Sequence, residues 1–273
     1  MNDIFRGYLL CTDLDGTLLT RDGSVSQENR AAIARFQAGG GLFTFITGRM
    51  PFFSLDMIRA AQPNAPIGCI NGGGIYDPQS GRYLWQCELP RAALALAVYA
   101  EAQLPAIGVQ VNAFDKIYFC RENNVMSAFR KITGVPPLRA TYDAIHEPMA
   151  KIVFGVAREE EMQRLQELLQ AHPLAADFDF IRSERTLFEI LPKGVSKGAV
   201  LLKMAELLSI KQRNVIAVGD YDNDVSMLRA AGTGYAVVNA CPAAKAAADR
   251  MTVSCEEHAI AAIVSCLERE VAG

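Results

Sequence analysis

Asp13-Leu14-Asp15-Gly16-Thr17 follows directly on the apolar run Tyr8-Leu9-Leu10-Cys11. A short apolar run ending at a glycine turn reads as a buried strand of a parallel sheet. Open α/β sheets place their ligand sites beyond the carboxyl ends of such strands. Two carboxylates at that point repel each other unless a cation or a proton lies between them. The pair therefore predicts a metal ion, a shared proton, or both. By itself it has a plainer reading, because Asp after a strand also serves turns and helix caps. Three further polar clusters change the weighing: Thr47-Gly48-Arg49, Lys197, and Asp220 with Asn223 and Asp224. Taken singly, Thr47 suits a helix cap, Lys197 a solvated surface and Gly219-Asp220 a turn. Taken together they form a kit for phosphoryl transfer. One carboxylate can attack phosphorus and a second can carry a proton. A hydroxyl and an ammonium can hold phosphoryl oxygens, and further carboxylates can hold Mg2+, a hard cation that prefers oxygen ligands.

The clusters fall at the ends of predicted elements. Strand 8–12 precedes the first, and Asp22-Gly23 is a hairpin signal. Ser26 is an N-cap for a helix to about Gln37, with Ala31, Ala32, Ile33 and Phe36 on one side, stopped by Gly39-Gly40-Gly41. Leu42–Ile46 is a second buried strand ending at Thr47, and Pro51 suits the first turn of the next helix. Ile67–Ile70 is a third strand, ending at Asn71-Gly72-Gly73-Gly74. This alternation predicts a parallel-sheet α/β domain. From about Tyr83 to Leu191 the pattern changes to a strand, helix 91–103, strands 106–112 and 115–120, helix 124–132, strand 151–156, helix 158–171 and strands 176–182 and 186–191. In the helix from Arg158 to Gln170, Met162, Leu165, Leu168 and Leu169 share a face, and Glu159, Glu160 and Glu161 suit the N-terminal dipole. Two helix-plus-strand-pair units predict an α+β insert with an antiparallel sheet. After Gly194 the α/β pattern resumes with helix 197–208, strand 215–218, helix 223–230, strand 235–238 and final helices from near Pro242 and Glu256. The expected architecture is a Rossmann-like α/β core of residues 1–82 and 192–273, interrupted by an α+β cap domain of residues 83–191.

Composition narrows the function classes. A chain of 273 residues with 51% hydrophobic and 21% charged residues fits two soluble globular domains. A net charge of −3 gives no reason to expect nucleic acid or an anionic membrane as partner. Seven scattered cysteines without a C-x-x-C pair argue for reduced thiols and against zinc. The polar start, and the lack of any run near the ~20 apolar residues of a membrane span, lead to an expected cytoplasmic location. His146, His172 and His258 show no metal spacing, and Met149 and Trp85 read as packing.

Asp13-Leu-Asp-Gly-Thr-Leu, Thr47-Gly-Arg, Gly194-Val-Ser-Lys197-Gly and Gly219-Asp-Tyr-Asp-Asn-Asp224 resemble, in order, the four motifs of the haloacid dehalogenase (HAD) superfamily, in particular its Cof-type phosphatases. Asn71-Gly-Gly, Leu187–Gly194, the run from Val238 to Lys245 and Ala248-Asp249 add to the likeness. The chain departs from the family pattern at Gly73 and at Cys255–Ala259. The resemblance implies that Asp13 is the nucleophile, forming an aspartyl-phosphate, and that Asp15 is the general acid and base. It implies Mg2+ bound by Asp13, the backbone carbonyl of Asp15 and Asp220, with Asp224 orienting a ligand or pairing with Lys197. Thr47, Lys197 and Asn223 would hold the phosphoryl group, and Gly48, Arg49, Asn71 and Gly72 would complete the substrate site.

Only about thirty residues separate Asp15 from Thr47, but about 150 separate Thr47 from Lys197, so the insert lies between the second and third motifs. That placement resembles the sugar-phosphatase branch, in which the insert is a lid. Lys151, Arg182 and Arg185 are candidate contacts for a polar or anionic group, with solvated charges beside strands as the plainer reading. The expectation is a Mg2+-dependent phosphatase of a small phosphorylated metabolite. The alternatives are a phosphomutase or phosphotransferase on a sugar phosphate and a non-catalytic phospho-ligand-binding module. A dehalogenase is disfavoured by Asp15 and by the insert position, and a receiver-type phosphoacceptor would need neither.

Overall fold

The computed structural model describes residues 3–272. The chain divides into two compact units, one running to Gln86 and resuming at Ser196, the other Cys87–Val195. The first unit opens with β1 (Leu9–Thr12), α1 (Gln27–Ala38), β2 (Leu42–Phe45), α2 (Leu55–Ala61), β3 (Ile67–Cys69), β4 (Gly74–Asp77) and β5 (Arg82–Gln86). The second unit holds α3 (Ala93–Gln103), β6 (Gly108–Ala113), β7 (Ile117–Arg121), α4 (Asn124–Thr133), β8 (Met149–Gly155), α5 (Glu159–Gln170), β9 (Phe178–Glu184) and β10 (Leu187–Pro192). The first unit then closes with α6 (Lys197–Leu207), β11 (Val215–Gly219), α7 (Val225–Ala230), β12 (Thr233–Val237), α8 (Pro242–Ala247), β13 (Arg250–Thr252) and α9 (Ala259–Ala272). No helix among the described residues is long and apolar enough to cross a membrane. All seven cysteines are free thiols.

The central sheet of the first unit has the order β13-β12-β11-β1-β2 and is parallel throughout. β1 lies between β11 and β2, with Thr12 level with both Val218 and Phe45. Leu9, Leu10 and Cys11 are fully buried, as befits a strand covered on both faces, and this is why the run shows no polar alternation. Because the three strands run the same way and end level, the residues that follow them emerge at one edge of the sheet.

Ser26 caps α1, its side chain accepting from the Asn29 N–H. Ala32, Ile33 and Phe36 face the core, but Ala31 is exposed, contrary to the sequence reading, and Asn29 takes the inward position. Asn29 is buried because its Oδ1 accepts from Ala261 N at 3.0 Å, satisfying an otherwise orphaned donor in the first turn of α9. β3 also departs from expectation. It touches the parallel sheet through the single Ile46–Gly68 bridge and otherwise begins an antiparallel sheet, β3-β4-β5. The hairpin between β4 and β5 turns on Asp77, which accepts from the backbone N–H groups of Gln79 and Ser80. Asp-Pro-Gln-Ser-Gly is a turn signal, but its flanking strands gain their partner only when β3 reverses. β13 was likewise not expected. It is a three-residue edge strand paired with β12, too short to carry a period.

The second unit is a five-stranded antiparallel sheet, β7-β6-β8-β10-β9. Val109, Val111, Ile152, Phe154, Phe188 and Ile190 share an apolar cluster with Leu96 and Ala97 of α3 and with Met162 and Leu165 of α5. Met149 is buried there, and Trp85 packs against the core of the first unit with Lys203 Nζ 4.9 Å from its ring centre. Replacing Asn29 by Leu should strand the Ala261 N–H without a partner. The expected loss of about 1–3 kcal/mol is measurable by urea unfolding.

Candidate active site

Asp13 leaves the end of β1 with its N–H donated to Val218 O at 2.8 Å, and its residue is only 6% exposed. Lys197 opens α6 and is 1% exposed. It is not the solvated lysine of the plainer reading. Its Nζ donates to Asp13 Oδ1 at 2.5 Å and to Asp224 Oδ1 at 2.6 Å. Asp224 Oδ2 accepts from the N–H groups of Asp220 and Tyr221 at 2.9 and 3.1 Å, so one of its oxygens holds Lys197 and the other holds the turn after β11. Asp220 Oδ1 accepts from Thr17 Oγ1 at 2.8 Å. Gly16 lies between these groups at φ +81°, and a Cβ there would come within 2.5 Å of Asp220 Oδ2. Only glycine meets both demands.

Asp13 and Asp224 thus share one ammonium, with Asp220 beside them. Asp13, Asp220 and Asp224 each place an oxygen within 4.8 Å of the others. Burial, then the charges of Asp224, Asp220 and Asp15, push the Asp13 carboxyl well above its ordinary range against the opposing pull of Lys197. Burial and Asp224 push Asp220 up to about 6, against the Thr17 hydrogen bond and Lys197. Burial pulls Lys197 down, but Asp13 and Asp224 outweigh it and keep the ammonium charged. The surplus of buried negative charge and the all-oxygen donor set fit a hard divalent cation such as Mg2+. The carboxylate of Asp15 stands outside this group. It is half exposed and receives both arms of Arg49, Nε to Oδ2 at 3.0 Å and Nη2 to Oδ1 at 2.5 Å. Arg49, expected to touch substrate, is turned to Asp15.

Thr47 follows β2 and is 1% exposed. Its Oγ1 accepts from Arg49 N at 3.2 Å, and its carbonyl accepts from Asn71 N at 3.0 Å. Asn71 Oδ1 in turn accepts from Asn223 Nδ2 at 3.0 Å, and Gly48 lies close by, a Cβ on it falling 3.0 Å from the same oxygen. The Asn71 turn is strained. Ile70 has φ +57° and Asn71 φ +52°, and a β-branched residue in the left-handed region is an outlier. Gly72 permits the turn to press on α6, since a Cβ would sit 2.2 Å from Ser196 O. All the core residues expected from sequence lie in the first unit. Lys151, Arg182 and Arg185 lie in the second. Lys151 is buried and paired with Glu189 at 2.8 Å, not a solvated charge. Arg182 forks onto Glu159 and also donates to Arg185 O.

Three supporting residues had no expected role. Thr17 holds Asp220, Ser226 Oγ accepts from Gly198 N at 3.0 Å, and Asn239 Nδ2 donates to Gly16 O at 2.8 Å. Asn239 Oδ1 also accepts from Cys255 N, joining the Asp13 loop to the segment before α9. Its place just after β12 was the available signal.

A family model described as haloacid dehalogenase-like hydrolase matches residues 10–264. The chain is 29% identical over 260 residues to 5-amino-6-(5-phospho-D-ribitylamino)uracil phosphatase YitU of Bacillus subtilis, covering 93% of this chain and 95% of the relative. It is 26% identical over 255 residues to an HMP-PP phosphatase of Yersinia enterocolitica, covering 93% and 92%. Among solved structures, the HAD subclass IIB sugar phosphatase BT4131 superposes with a TM-score of 0.83 at 20% identity, covering 96% of this chain and 99% of that one.

Asp220 supplies a pH test. Its folded pKa of about 6 lies above its ordinary 3.8, so between those values the folded chain holds a proton that the unfolded chain releases. The stability contributed by this group therefore falls as pH rises through that window. Without metal, Asp220→Asn should melt above the unmodified protein at about pH 7.5, with the gain fading toward about pH 4. Added Mg2+ should raise the Tm of the unmodified protein and leave that of Asp220→Asn nearly unchanged. Calorimetric melts across pH, with and without Mg2+, read both.

Proposed function

We propose that this chain, which belongs to the haloacid dehalogenase-like hydrolases and among them to the Cof-type phosphatases, hydrolyses a small phosphorylated metabolite through an aspartyl-phosphate on Asp13. The observation that carries this reading is the buried Lys197 ammonium held between Asp13 and Asp224 at the edge of the parallel sheet. A carboxylate approaching a phosphate dianion meets strong repulsion, and the fixed ammonium offsets it. Asp13 attacks phosphorus, the bond to the ester oxygen breaks, and Asp15 gives its proton to the departing alkoxide. Asp15 then takes a proton from water as that water attacks the aspartyl-phosphate, releasing phosphate and restoring the Asp13 carboxylate. Arg49 orients Asp15 through its forked hydrogen bonds. Thr47, Asn223 and the N-terminus of α6 receive phosphoryl oxygens. Asp13 and Asp220, with the carbonyl of Asp15, would hold Mg2+, whose chemistry is to neutralise charge on the phosphoryl oxygens.

The second unit, expected from sequence at 83–191 and compact over Cys87–Val195, is the part proposed to select the substrate. The relatives' names specify a phosphorylated ribitylaminouracil and HMP-PP, which supports a small phosphorylated metabolite of this general kind. The net charge of −3 accords with a small-molecule substrate rather than nucleic acid.

Phosphate release from a panel of sugar phosphates, nucleotides and pyridoxal phosphate tests the reading. Release should require Mg2+, stop with EDTA, and fall by roughly three orders of magnitude or more in Asp13→Asn. Undiminished release in that variant would move the nucleophile elsewhere. Isomerised sugar phosphate in place of free phosphate would make the protein a mutase. Thr47→Ala should lower kcat by about ten- to a hundredfold, as expected for one lost hydrogen bond to the transferring group, measured on the best substrate of the panel.

A further inference from the structure

Residues 13–26 carry the chain from the end of β1 to the start of α1 with no helix or full strand between them. This loop bears Asp13, Asp15 and Thr17, so the site is only as well placed as the loop's backbone. Packing fixes its first half. Leu14, Thr17, Leu18 and Leu19 are buried, and Leu19 N donates to Leu14 O at 2.8 Å. Leu19 also bridges both Asp15 and Val25, which makes it the joint between the acid and the turn of residues 20–24. That turn is held differently. Residues 21–24 are exposed, so packing cannot fix them, and Thr20 N closes the turn on itself by donating to Ser24 O at 2.9 Å. A tie to the rest of the unit comes from far along the chain. Arg21 N donates to Glu256 Oε1 at 2.6 Å, a charge-assisted bond of the stronger kind.

Glu256 is itself held from both sides. Before it, Cys255 is buried and its N–H donates to Asn239 Oδ1 at 3.2 Å. After it, Glu257 Oε2 accepts from Ser254 N and Ser254 Oγ at 3.2 and 2.7 Å, closing a single 3-10 turn. The same Asn239 donates from Nδ2 to Gly16 O at 2.8 Å. The segment before α9 therefore grips the loop at two points. One lies directly behind Asp15, through Asn239 and Gly16, and the other lies two residues beyond Leu19, through Glu256 and Arg21. The fork of Arg49 does not replace these ties. It sets the Asp15 carboxylate against the guanidinium, whereas the backbone beneath Asp15 moves with the loop. A half-exposed acid reaches a defined oxygen only if that backbone is fixed as well. We infer that Glu256 is a positioning residue for Asp15: by holding the turn of residues 20–24 it keeps the general acid and base at the reacting oxygen. The inference rests on the role proposed above for Asp15.

The test compares the full-length protein with Glu256→Ala and with Glu256→Gln, whose amide oxygen can still accept from Arg21 N. Glu256 is exposed, so both variants should keep their Tm within about 2 °C of the unmodified protein. A larger drop would mark Glu256 as structural and overturn the inference. Hydrogen exchange followed by NMR should show the Arg21 and Leu19 amide protons exchanging about tenfold faster in Glu256→Ala and near the unmodified rate in Glu256→Gln. Unchanged exchange in Glu256→Ala would overturn the inference without passing through catalysis. Single-turnover kinetics with enzyme in excess read the link to Asp15. Alcohol release from the best alkyl phosphate of the panel, whose alkoxide takes the Asp15 proton, should slow about tenfold in Glu256→Ala and recover in Glu256→Gln. Release of p-nitrophenolate from p-nitrophenyl phosphate, which departs with its electron pair and without a proton, should slow by less than about twofold. Equal slowing of both substrates, or no recovery with glutamine, would overturn the positioning role. Absence of phosphate release from the unmodified protein would instead overturn the phosphatase reading, and the role of Asp15 with it, whatever the exchange rates.

Discussion

A single buried ammonium organises the first unit. Withdrawing Lys197 from water costs several kcal/mol unless opposite charge and hydrogen bonds replace the lost hydration. Asp13 and Asp224 do both. Lys197 begins α6, Asp13 follows β1 and Asp224 follows β11, so the pairings tie together parts of the chain that stand 184 and 27 residues apart. Asp224 extends the network to the backbone of Asp220 and Tyr221, and Thr17 closes it by holding Asp220. Each group is oriented by a neighbour that is itself oriented, which is the condition for a preorganised site.

The network is also unbalanced, and the imbalance has a use. One ammonium does not neutralise three carboxylates, and burial keeps solvent from doing so. The protein without a cation therefore carries a destabilising surplus that a hard metal ion would offset. Backbone strain at Ile70 and Asn71 is stored in the same region, with the Asn71 side chain fixed by Asn223. A sheet with a largely apolar interior and several paired strands can support such local costs at its edge.

The second unit distributes polarity differently. Its sheet packs α3 and α5 on one face and buries amides, a lysine and a glutamate on the other, where α4 lies against Gly108 and Gly155. Period-2 alternation in β6 and β8 encodes this division, because Val109 and Val111 alternate with Gln110 and Asn112. In an ordinary half-exposed sheet the polar set would meet water. Here it does not.

Much of the architecture was legible because it is written locally. Apolar runs, glycine turns, the Ser26 cap and the amphipathic stripe of α5 are short-range properties, and they located the parallel strands, the antiparallel insert and the ordered motifs within a few residues. Asp13, Thr47, Lys197 and Asp220 could be singled out because each follows or opens such an element. Other features depended on partners far along the chain. The inward turn of Asn29 depends on Ala261, and β3 joined an antiparallel sheet because the strands that complete it came later in sequence. Arg49 became a partner of Asp15, and Lys151 a buried partner of Glu189, through contacts 34 and 38 residues apart. By itself the sequence determined which residue types stand at the ends of which elements, since propensity and periodicity act over a few residues. Only the tertiary structure decided which of those groups meet, because burial and charge pairing are settled by packing between distant segments.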